Sequence, residues 1–220
     1  DSAADAKRWN GLSPMGRDFV AACNDLGIVV DQSHSSDDVF DQMMDLSRAL
    51  IICSHSGCRA VHDHPRNLDD ARIKKLAAAG STIQINSYNE YLVTVPPNPE
   101  RARAQAAIRA AARLPEGASR AQILTAQRKQ MAAMKDLDRR YPIPRASLED
   151  FMRHVTHALD LVGPDHVGVG PDWDGGGGVT GMADVAALPR VTERLLKLGY
   201  TEPQLAQFWS GNALRVLKAA

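Results

Sequence analysis

Hydrophobic and polar positions alternate along this chain in a regular order, in which short apolar runs are separated by longer stretches with helical spacing. Apolar residues recur at helical spacing over Pro14–Leu26, and Gly27 supplies a stop signal. The runs at residues 28–31 and 50–54 are short and continuous, as expected of strands that are buried on both faces. This order of elements predicts a parallel sheet covered by helices.

The same pattern continues to the end of the chain with one interruption. Two further strands are predicted at residues 81–87 and 166–174. Further helices are predicted over residues 37–48, 68–79, 147–162, 183–198 and 202–217. Closely spaced prolines from Pro96 precede an Ala/Arg/Gln/Lys-rich segment, which predicts a two-helix insertion at about 96–146, split near Pro115. Residues 1–220 are therefore expected to form part of one domain that carries a helical insertion.

Polar side chains lie at the ends of the predicted strands, and this placement helps to distinguish between the possible α/β folds. His34, His55, Asn86 and Asp172 each follow or end an apolar run. The glycines at 175–178 lack the spacing of a phosphate-binding loop, so a nucleotide-binding sheet is not indicated. In a (β/α)₈ barrel the functional residues gather at the carboxyl ends of the strands. The sequence therefore predicts an α/β fold of (β/α)₈-barrel type, with only about four strand–helix units in this chain.

Composition and charge give no indication of a nucleic-acid partner, a membrane-spanning segment or disulfide bonds. Lys and Arg together number 26, as do Asp and Glu, so net charge gives no indication of a nucleic-acid partner. No apolar stretch is long enough to span a bilayer. The three cysteines lie in or beside apolar runs, which indicates buried thiols rather than disulfides. The first residues read like an internal loop, so they do not indicate a cellular compartment.

Two apolar runs end in the same tripeptide, Ser-His-Ser, around His34 and His55. A single histidine at a strand end is usually just hydrogen-bonded. Two on neighbouring strands, about 4.8 Å apart, could instead converge on one metal ion. Catalytic zinc usually has three protein ligands and an open position, so further ligands would be needed.

Other polar residues have two interpretations each. Asp172 in "GPDWDG" is either a turn former or a metal ligand or proton shuttle. Arg66 follows His62 and His64 in a loop, where it is either solvated or a bidentate carboxylate binder. His154 and its neighbour at position 157 are interpreted as surface or packing residues, and the serines of Ser-His-Ser lack the surroundings of a nucleophile.

Five segments together resemble the membrane (renal) dipeptidase family, the M19 metallopeptidases: "GLSPMGRDFVAACNDLGIVVDQSHSS", "SHSGCRAVHDHPRNLDD", "INSYNEYL", "HVGVGPDWDG" and "FWSGNALRVL". The resemblance implies a (β/α)₈ barrel with two zinc ions bridged by a glutamate and a water or hydroxide. It implies His34 and His55 as ligands of the second zinc and Asp172 as the acid/base. It also implies that Arg66 binds the terminal carboxylate of a dipeptide substrate and that Tyr91 contacts the substrate.

The family's first-strand H-x-D motif, its bridging glutamate and a further substrate-binding histidine have no counterpart in this chain. The chain therefore resembles the C-terminal half of a dipeptidase, either as a fragment or as a truncated protein. The expected function is zinc-dependent hydrolysis of dipeptides, which would require the N-terminal half of the barrel. An inactive half-barrel that only pairs with a partner chain, and a related metal-dependent amidase or lactonase, are the alternatives. The resemblance further implies a homodimer.

Overall fold

The chain folds into two units, which a computed structural model describes over all of residues 1–220. The first unit contains Asp1–Thr94 and Arg145–Ala220, and the second contains Val95–Pro144. The second unit lies within the segment for which the sequence predicts a helical insertion.

The first unit is built on a four-stranded parallel sheet. Its strands are β1 (Ile52–Cys58), β2 (Asn67–Leu68), β3 (Thr82–Ile85) and β4 (Val167–Val169), in the order β2-β1-β3-β4. The predicted parallel sheet is therefore confirmed. The predicted strand at 28–31 is wrong as a full strand, because only Asp31 pairs with Ile52, in one parallel bridge.

Ten α-helices occur in the two units: α1 (Pro14–Leu26), α2 (Asp37–Leu46), α3 (Asp70–Ala78), α4 (Asn89–Leu92), α5 (Pro99–Ala111), α6 (Arg120–Arg140), α7 (Leu148–Val162), α8 (Leu188–Lys197), α9 (Glu202–Ala206) and α10 (Asn212–Lys218). Of these, α5 and α6 belong to the second unit. A π-helical turn, Gln207–Gly211, separates α9 from α10, so the single helix predicted at 202–217 is interrupted.

Capping residues set the bounds of the helices that the sequence predicts best. The Ser13 side chain accepts from the Gly16 N–H at the start of α1, and Gly27 ends that helix with φ 68°. Ser147 and Asp150 form a reciprocal capping box at the start of α7. These local hydrogen bonds satisfy main-chain groups that a helix end leaves without partners.

The core of the first unit lies where α7 packs on α3 and on the sheet. Phe151, Val155 and Ala158 of α7 are fully buried, as are Ile83 and Ile85 of β3. These helix residues are spaced three or four apart, so they share one face. This face of α7 therefore holds the strands β1, β3 and β4 from one side.

The second unit contains the two helices α5 and α6. Arg101 near the start of α5 donates to the Tyr141 carbonyl at 2.9 Å and to Asp138 Oδ1 at 2.6 Å, both beyond or near the end of α6. These bonds join the outer ends of the helical hairpin. Across both units, no helix combines the length and the apolar character that crossing a membrane requires.

Candidate functional site

The rings of the two predicted metal-binding histidines meet. His55 lies inside β1, and His34 lies in the loop that follows the bridge at Asp31. The Nε2 atoms of the two imidazoles are 2.8 Å apart, and the ring centroids are 4.8 Å apart at an interplanar angle of 62°. Two nitrogens that face each other at this distance can bind the same ion.

Two of the five predicted site residues adopt an unfavourable backbone conformation. The only non-glycine residues with positive φ are Asn10 (50°), His34 (80°) and Asp172 (58°). This left-handed region costs an L-residue other than Gly, Asn or Asp about 1–2 kcal/mol. Such conformations persist where the surroundings enforce them, and they concentrate at functional sites. The left-handed backbone of His34 therefore sets the direction of its imidazole ring. This conformation destabilises the fold.

Serine and aspartate side chains surround His55, a feature that the sequence analysis missed. Ser33 Oγ accepts the His55 main-chain N–H at 2.9 Å and lies 3.3 Å from Ser56 Oγ. Ser54 Oγ lies 2.8 Å from His55 Nδ1. Asp31 accepts from the main-chain N–H groups of Ser33 and Ser54, at 3.0 Å each. The serines of the repeated Ser-His-Ser are the available signal, although the sequence analysis interprets them only as possible nucleophiles.

Both imidazoles are held in the neutral form. Burial is the main cause that lowers the pKa of His34 and of His55, and the Arg66 guanidinium lowers both further. The Asp172 and Asp31 carboxylates act in the opposite direction on both rings, without reversing the result. A neutral imidazole is the form that binds a metal. The same interactions show that His34, His55, Arg66 and Asp172 influence one another electrostatically.

Asp172 lies in a tight turn after β4 rather than in a flexible loop. Its carbonyl accepts from the N–H groups of Gly175 and Gly177 at 3.1 and 2.7 Å. A Cβ at Gly177 would lie 1.9 Å from the Pro171 carbonyl oxygen, and one at Gly175 would lie 2.3 Å from Asp172 Oδ1. Glycine is therefore required at 175 and 177 for the chain to fold back around Asp172.

Arg66 is buried and lacks partners for part of its guanidinium, so the interpretation as a solvated loop residue is wrong. The residue is 5% exposed, and neither Nε nor Nη2 has a hydrogen-bond partner. Its Cζ lies 5.1 Å from the centroid of the Tyr91 ring. That ring is flanked by Tyr88 at 4.5 Å and by His64 at 4.6 Å. A buried guanidinium with free N–H groups is suited to an anionic ligand.

The remaining histidines do not enlarge the candidate metal site. His154 is fully buried and accepts the Cys58 N–H at Nδ1, while His157 lies 2.7 Å from Asp70 Oδ1. The structure contains no group of three or more His, Cys, Asp or Glu residues arranged to hold a metal ion. Two positions of a tetrahedral zinc site, with bonds of about 2.0–2.1 Å, would place the two nitrogens about 3.3 Å apart. The Nε2 atoms of His34 and His55 are 2.8 Å apart, so the rings would have to separate slightly to hold such an ion.

Comparison with known proteins identifies relatives along the whole chain. The sequence model of the membrane dipeptidase family (peptidase family M19) matches residues 1–220. An uncharacterised dipeptidase of Schizosaccharomyces pombe is 29% identical over 221 residues, which cover 99% of this chain and 42% of that protein. Dipeptidase tcpJ of Claviceps purpurea is 28% identical over 220 residues, covering 99% of this chain and 41% of that protein.

Solved structures resemble the fold as well. The probable dipeptidase PvdM from Pseudomonas aeruginosa superimposes with a TM-score of 0.76 at 28% identity, over 100% of this chain and 58% of that one. A metallopeptidase from Rhodobacter sphaeroides, liganded with a phosphinate mimic of L-Ala-D-Ala, gives 0.69 at 26% identity, over 100% and 49%. The predicted barrel-type α/β class is thereby confirmed. The chain spans about half the length, or less, of the proteins it matches.

Proposed function

Since the chain belongs to the membrane dipeptidase family, peptidase family M19, we propose that it contributes part of the active site for zinc-dependent hydrolysis of dipeptides. The family is one of metallopeptidases, which implies a metal cofactor. The observation that carries the proposal is the convergence of the His34 and His55 Nε2 atoms at 2.8 Å, within electrostatic reach of Arg66 and Asp172.

His34 and His55 would hold one of two zinc ions through their Nε2 atoms. Bound zinc lowers the pKa of a water molecule towards about 7 and polarises a carbonyl oxygen. Two histidines are fewer ligands than zinc requires. The proposal therefore includes further ligands from another part of the barrel, in agreement with the 42% coverage of the S. pombe relative.

Asp172 would carry the proton in the proposed reaction. Its carboxylate would accept a proton from the attacking water and deliver it to the amine that leaves. The support for this role is electrostatic, because the Asp172 charge acts on both His34 and His55. The glycine turn holds Asp172 in its left-handed conformation, which restricts where the carboxylate can point.

Arg66 and Tyr91 would bind the substrate. The unpaired Nε and Nη2 of Arg66 are available to the two oxygens of a terminal carboxylate. The Tyr91 ring lies against the guanidinium and between two other rings, so it forms a rigid wall beside that carboxylate. Because the terminal carboxylate would bind at a fixed distance from the metal, the site would favour dipeptides over longer peptides.

The zinc content after dialysis tests this proposal, measured on the chain alone and with the complementary part of the barrel added. The chain alone should retain little zinc, because two histidines do not complete a site. With the complementary part added, wild type and a control variant, His157→Ala on α7, should retain zinc to the same extent and hydrolyse dipeptides, whereas His34→Ala and His55→Ala should each retain less zinc. Zinc content that is unaffected when both histidines are replaced would contradict the proposed site.

A further inference from the structure

A chain of hydrogen bonds runs from Asp31 through the Ser54 hydroxyl to the His55 ring. Ser54 Oγ lies 2.5 Å from Asp31 Oδ2 and 2.8 Å from His55 Nδ1. The other oxygen of Asp31 accepts the Ser54 main-chain N–H at 3.0 Å. The carboxylate therefore holds both the backbone and the side chain of Ser54, and neither residue has a part in the proposed reaction.

The chemistry of the three groups places the protons in this chain. An ionised carboxylate only accepts hydrogen bonds, and a serine hydroxyl has a single proton to donate. A bond to a charged acceptor is stronger than one to a neutral acceptor, so Ser54 donates to Asp31. The Ser54 oxygen must then accept from His55. The ring proton of His55 is therefore on Nδ1, and Nε2 keeps its lone pair.

We propose that Asp31 and Ser54 are positioning residues that fix His55 in the Nδ1–H tautomer, with the Nε2 lone pair aimed at His34. The inference rests on the proposed function in one respect, since the lone pair matters most if His55 binds zinc. The Ser33 hydroxyl supports the same arrangement, because it accepts the His55 main-chain N–H at 2.9 Å and so fixes the backbone that carries the ring.

We call the chain of hydrogen bonds from Asp31 through Ser54 to His55 the relay. It places the ring proton on different nitrogens in His55 and His34. Because His55 Nε2 is an acceptor, the 2.8 Å contact requires His34 Nε2 to donate in the metal-free chain. His34 must then be the Nε2–H tautomer. When a metal takes the space between the rings, the proton of His34 has to move to Nδ1, whereas the tautomer of His55 does not change. A ring held in its binding tautomer beforehand should bind metal more tightly.

Nitrogen NMR of the metal-free 220-residue chain tests the relay at about pH 8, above the ordinary histidine pKa of about 6.5. Wild type should show a protonated Nδ1 and an unprotonated Nε2 for His55. Ser54→Ala should give a mixture of tautomers, and Ser54→Thr, which keeps the hydroxyl, should restore the wild-type signals. Asp31→Asn should reverse the tautomer, because an amide N–H directed at Ser54 Oγ leaves the hydroxyl proton free for Nδ1.

Ser56→Ala is the matched control, because the Ser56 hydroxyl lies near Ser33 Oγ and makes no hydrogen bond to the ring. It should leave the His55 signals unchanged. If His55 in Ser54→Ala remains entirely Nδ1–H, the relay is overturned. Circular dichroism of each variant shows whether it is folded. If Ser54→Ala unfolds, Asp31→Asn carries the test, and an unchanged Nδ1–H tautomer of His55 in that variant would overturn the relay.

Zinc titrations separate this inference from the proposed function. Loss of a group that hydrogen-bonds a metal ligand costs about 10–100-fold in metal affinity, so Ser54→Ala and Asp31→Asn should bind zinc more weakly by that factor. If the tautomers change as expected but His55→Ala binds zinc as well as wild type does, the relay stands and the proposed metal role fails. Unchanged tautomers together with zinc loss in His55→Ala would overturn the relay and leave the metal role intact.

Discussion

The Arg66 guanidinium is buried with two nitrogen atoms unpaired, so the folded chain holds a positive charge that its own side chains do not satisfy. Burial of an unsatisfied charged group destabilises a fold, while a bound carboxylate would supply the missing hydrogen bonds. A guanidinium presents a planar fork that an ammonium group cannot reproduce. Arg66 therefore destabilises the unliganded chain and stabilises a complex with a carboxylate ligand.

Replacement of Arg66 should separate binding from stability. Arg66→Lys and Arg66→Met should raise KM for a dipeptide about 10–100-fold, as expected for loss of charged hydrogen bonds of about 1.5–3 kcal/mol, and should change kcat less. Arg66→Met should also raise the melting temperature, because it removes a buried unpaired charge. Steady-state kinetics of the zinc-loaded, complete barrel and calorimetry are the measurements.

Arg153→Lys provides the control, since that arginine is exposed and pairs with Asp150 three residues away. It should alter neither KM nor the melting temperature. An unchanged KM in Arg66→Met would show that the guanidinium does not bind substrate.

His154 should make stability dependent on pH. Burial, with a smaller contribution from the charge of His62, lowers the pKa of His154 to about 4. The folded state therefore keeps His154 neutral, whereas in the unfolded chain it takes up a proton below about 6.5. The stability contribution is fully present above pH of about 6.5 and is lost as the pH falls towards 4, by up to about 3 kcal/mol.

Chemical denaturation of wild type and His154→Gln between pH of about 5 and 8 measures this contribution. The variant should show a shallower dependence on pH. At pH of about 8 histidine is neutral in both the folded and the unfolded state. The difference in the free energy of unfolding between the two proteins at that pH therefore reports only the changed packing and hydrogen bonding. Parallel pH profiles for the two proteins would show that His154 does not contribute.

The residues of the candidate site could be selected from the sequence because their chemical types and order along the chain carry the signal. His34 and His55 stand out through a repeated tripeptide, and Asp172 through its place after an apolar run. Burial of Arg66 could not be foreseen, because it depends on β2 and α4, which bring the loop under Tyr91. The part played by Asp31 and Ser54 depends on side-chain rotation, which a sequence pattern does not encode.

At the level of secondary structure, Gly170 allows β4 and β1 to approach closely at the site. A Cβ at this position would lie 1.8 Å from the Ser54 carbonyl oxygen, so β1 or the turn after β4 would have to move. Gly170→Ala should therefore lower the free energy of unfolding by about 3 kcal/mol. It should also displace the turn that carries Asp172.

Gly16→Ala on α1 is the matched control for Gly170→Ala. An added methyl there meets the flexible end of Leu12 at 3.2 Å, and alanine has the higher helix propensity. Its stability should stay within about 1 kcal/mol of wild type. Urea denaturation measures the free energy of unfolding of both variants. Equal values would show that the sheet can shift to accommodate a side chain at Gly170.

Helices with clear local signals were predicted well, and elements that depend on long-range pairing were not. The bounds of α1 follow from Ser13, Pro14 and Gly27, which act within a few residues. The strand at 28–31 reduces to one bridge, because pairing with Ile52 depends on residues far along the chain. The turn at Gln207–Gly211 widens a helix whose propensities are unexceptional, so only packing reveals it.

On the scale of the whole molecule, one apolar surface of the first unit lacks a cover in this chain. The exposed fractions are 80% for Met15, 64% for Phe19, 72% for Leu26 and 50% for Ile28. We call these four residues the α1 surface. Apolar side chains of this size contribute about 1.5–3 kcal/mol each when buried, so their exposure favours association.

The isolated chain should therefore self-associate at micromolar concentration through the α1 surface. The double variant Met15→Gln/Phe19→Ser should reduce the mean mass in sedimentation velocity. Met131→Gln, which changes an equally exposed methionine on α6 of the second unit, should not. A monomeric wild-type chain would contradict the prediction, as would a change in mass that follows Met131 instead of the α1 surface.

The left-handed backbone at His34 has a consequence for evolutionary drift. Glycine adopts this conformation without strain, whereas histidine is destabilised by about 1–2 kcal/mol, so a selected chemical role is expected to keep the imidazole in place. Where that role is lost, His34→Gly should stabilise the fold. Glycine at position 34 in an otherwise intact relative would then indicate that the proposed metal site has been given up while the scaffold was kept.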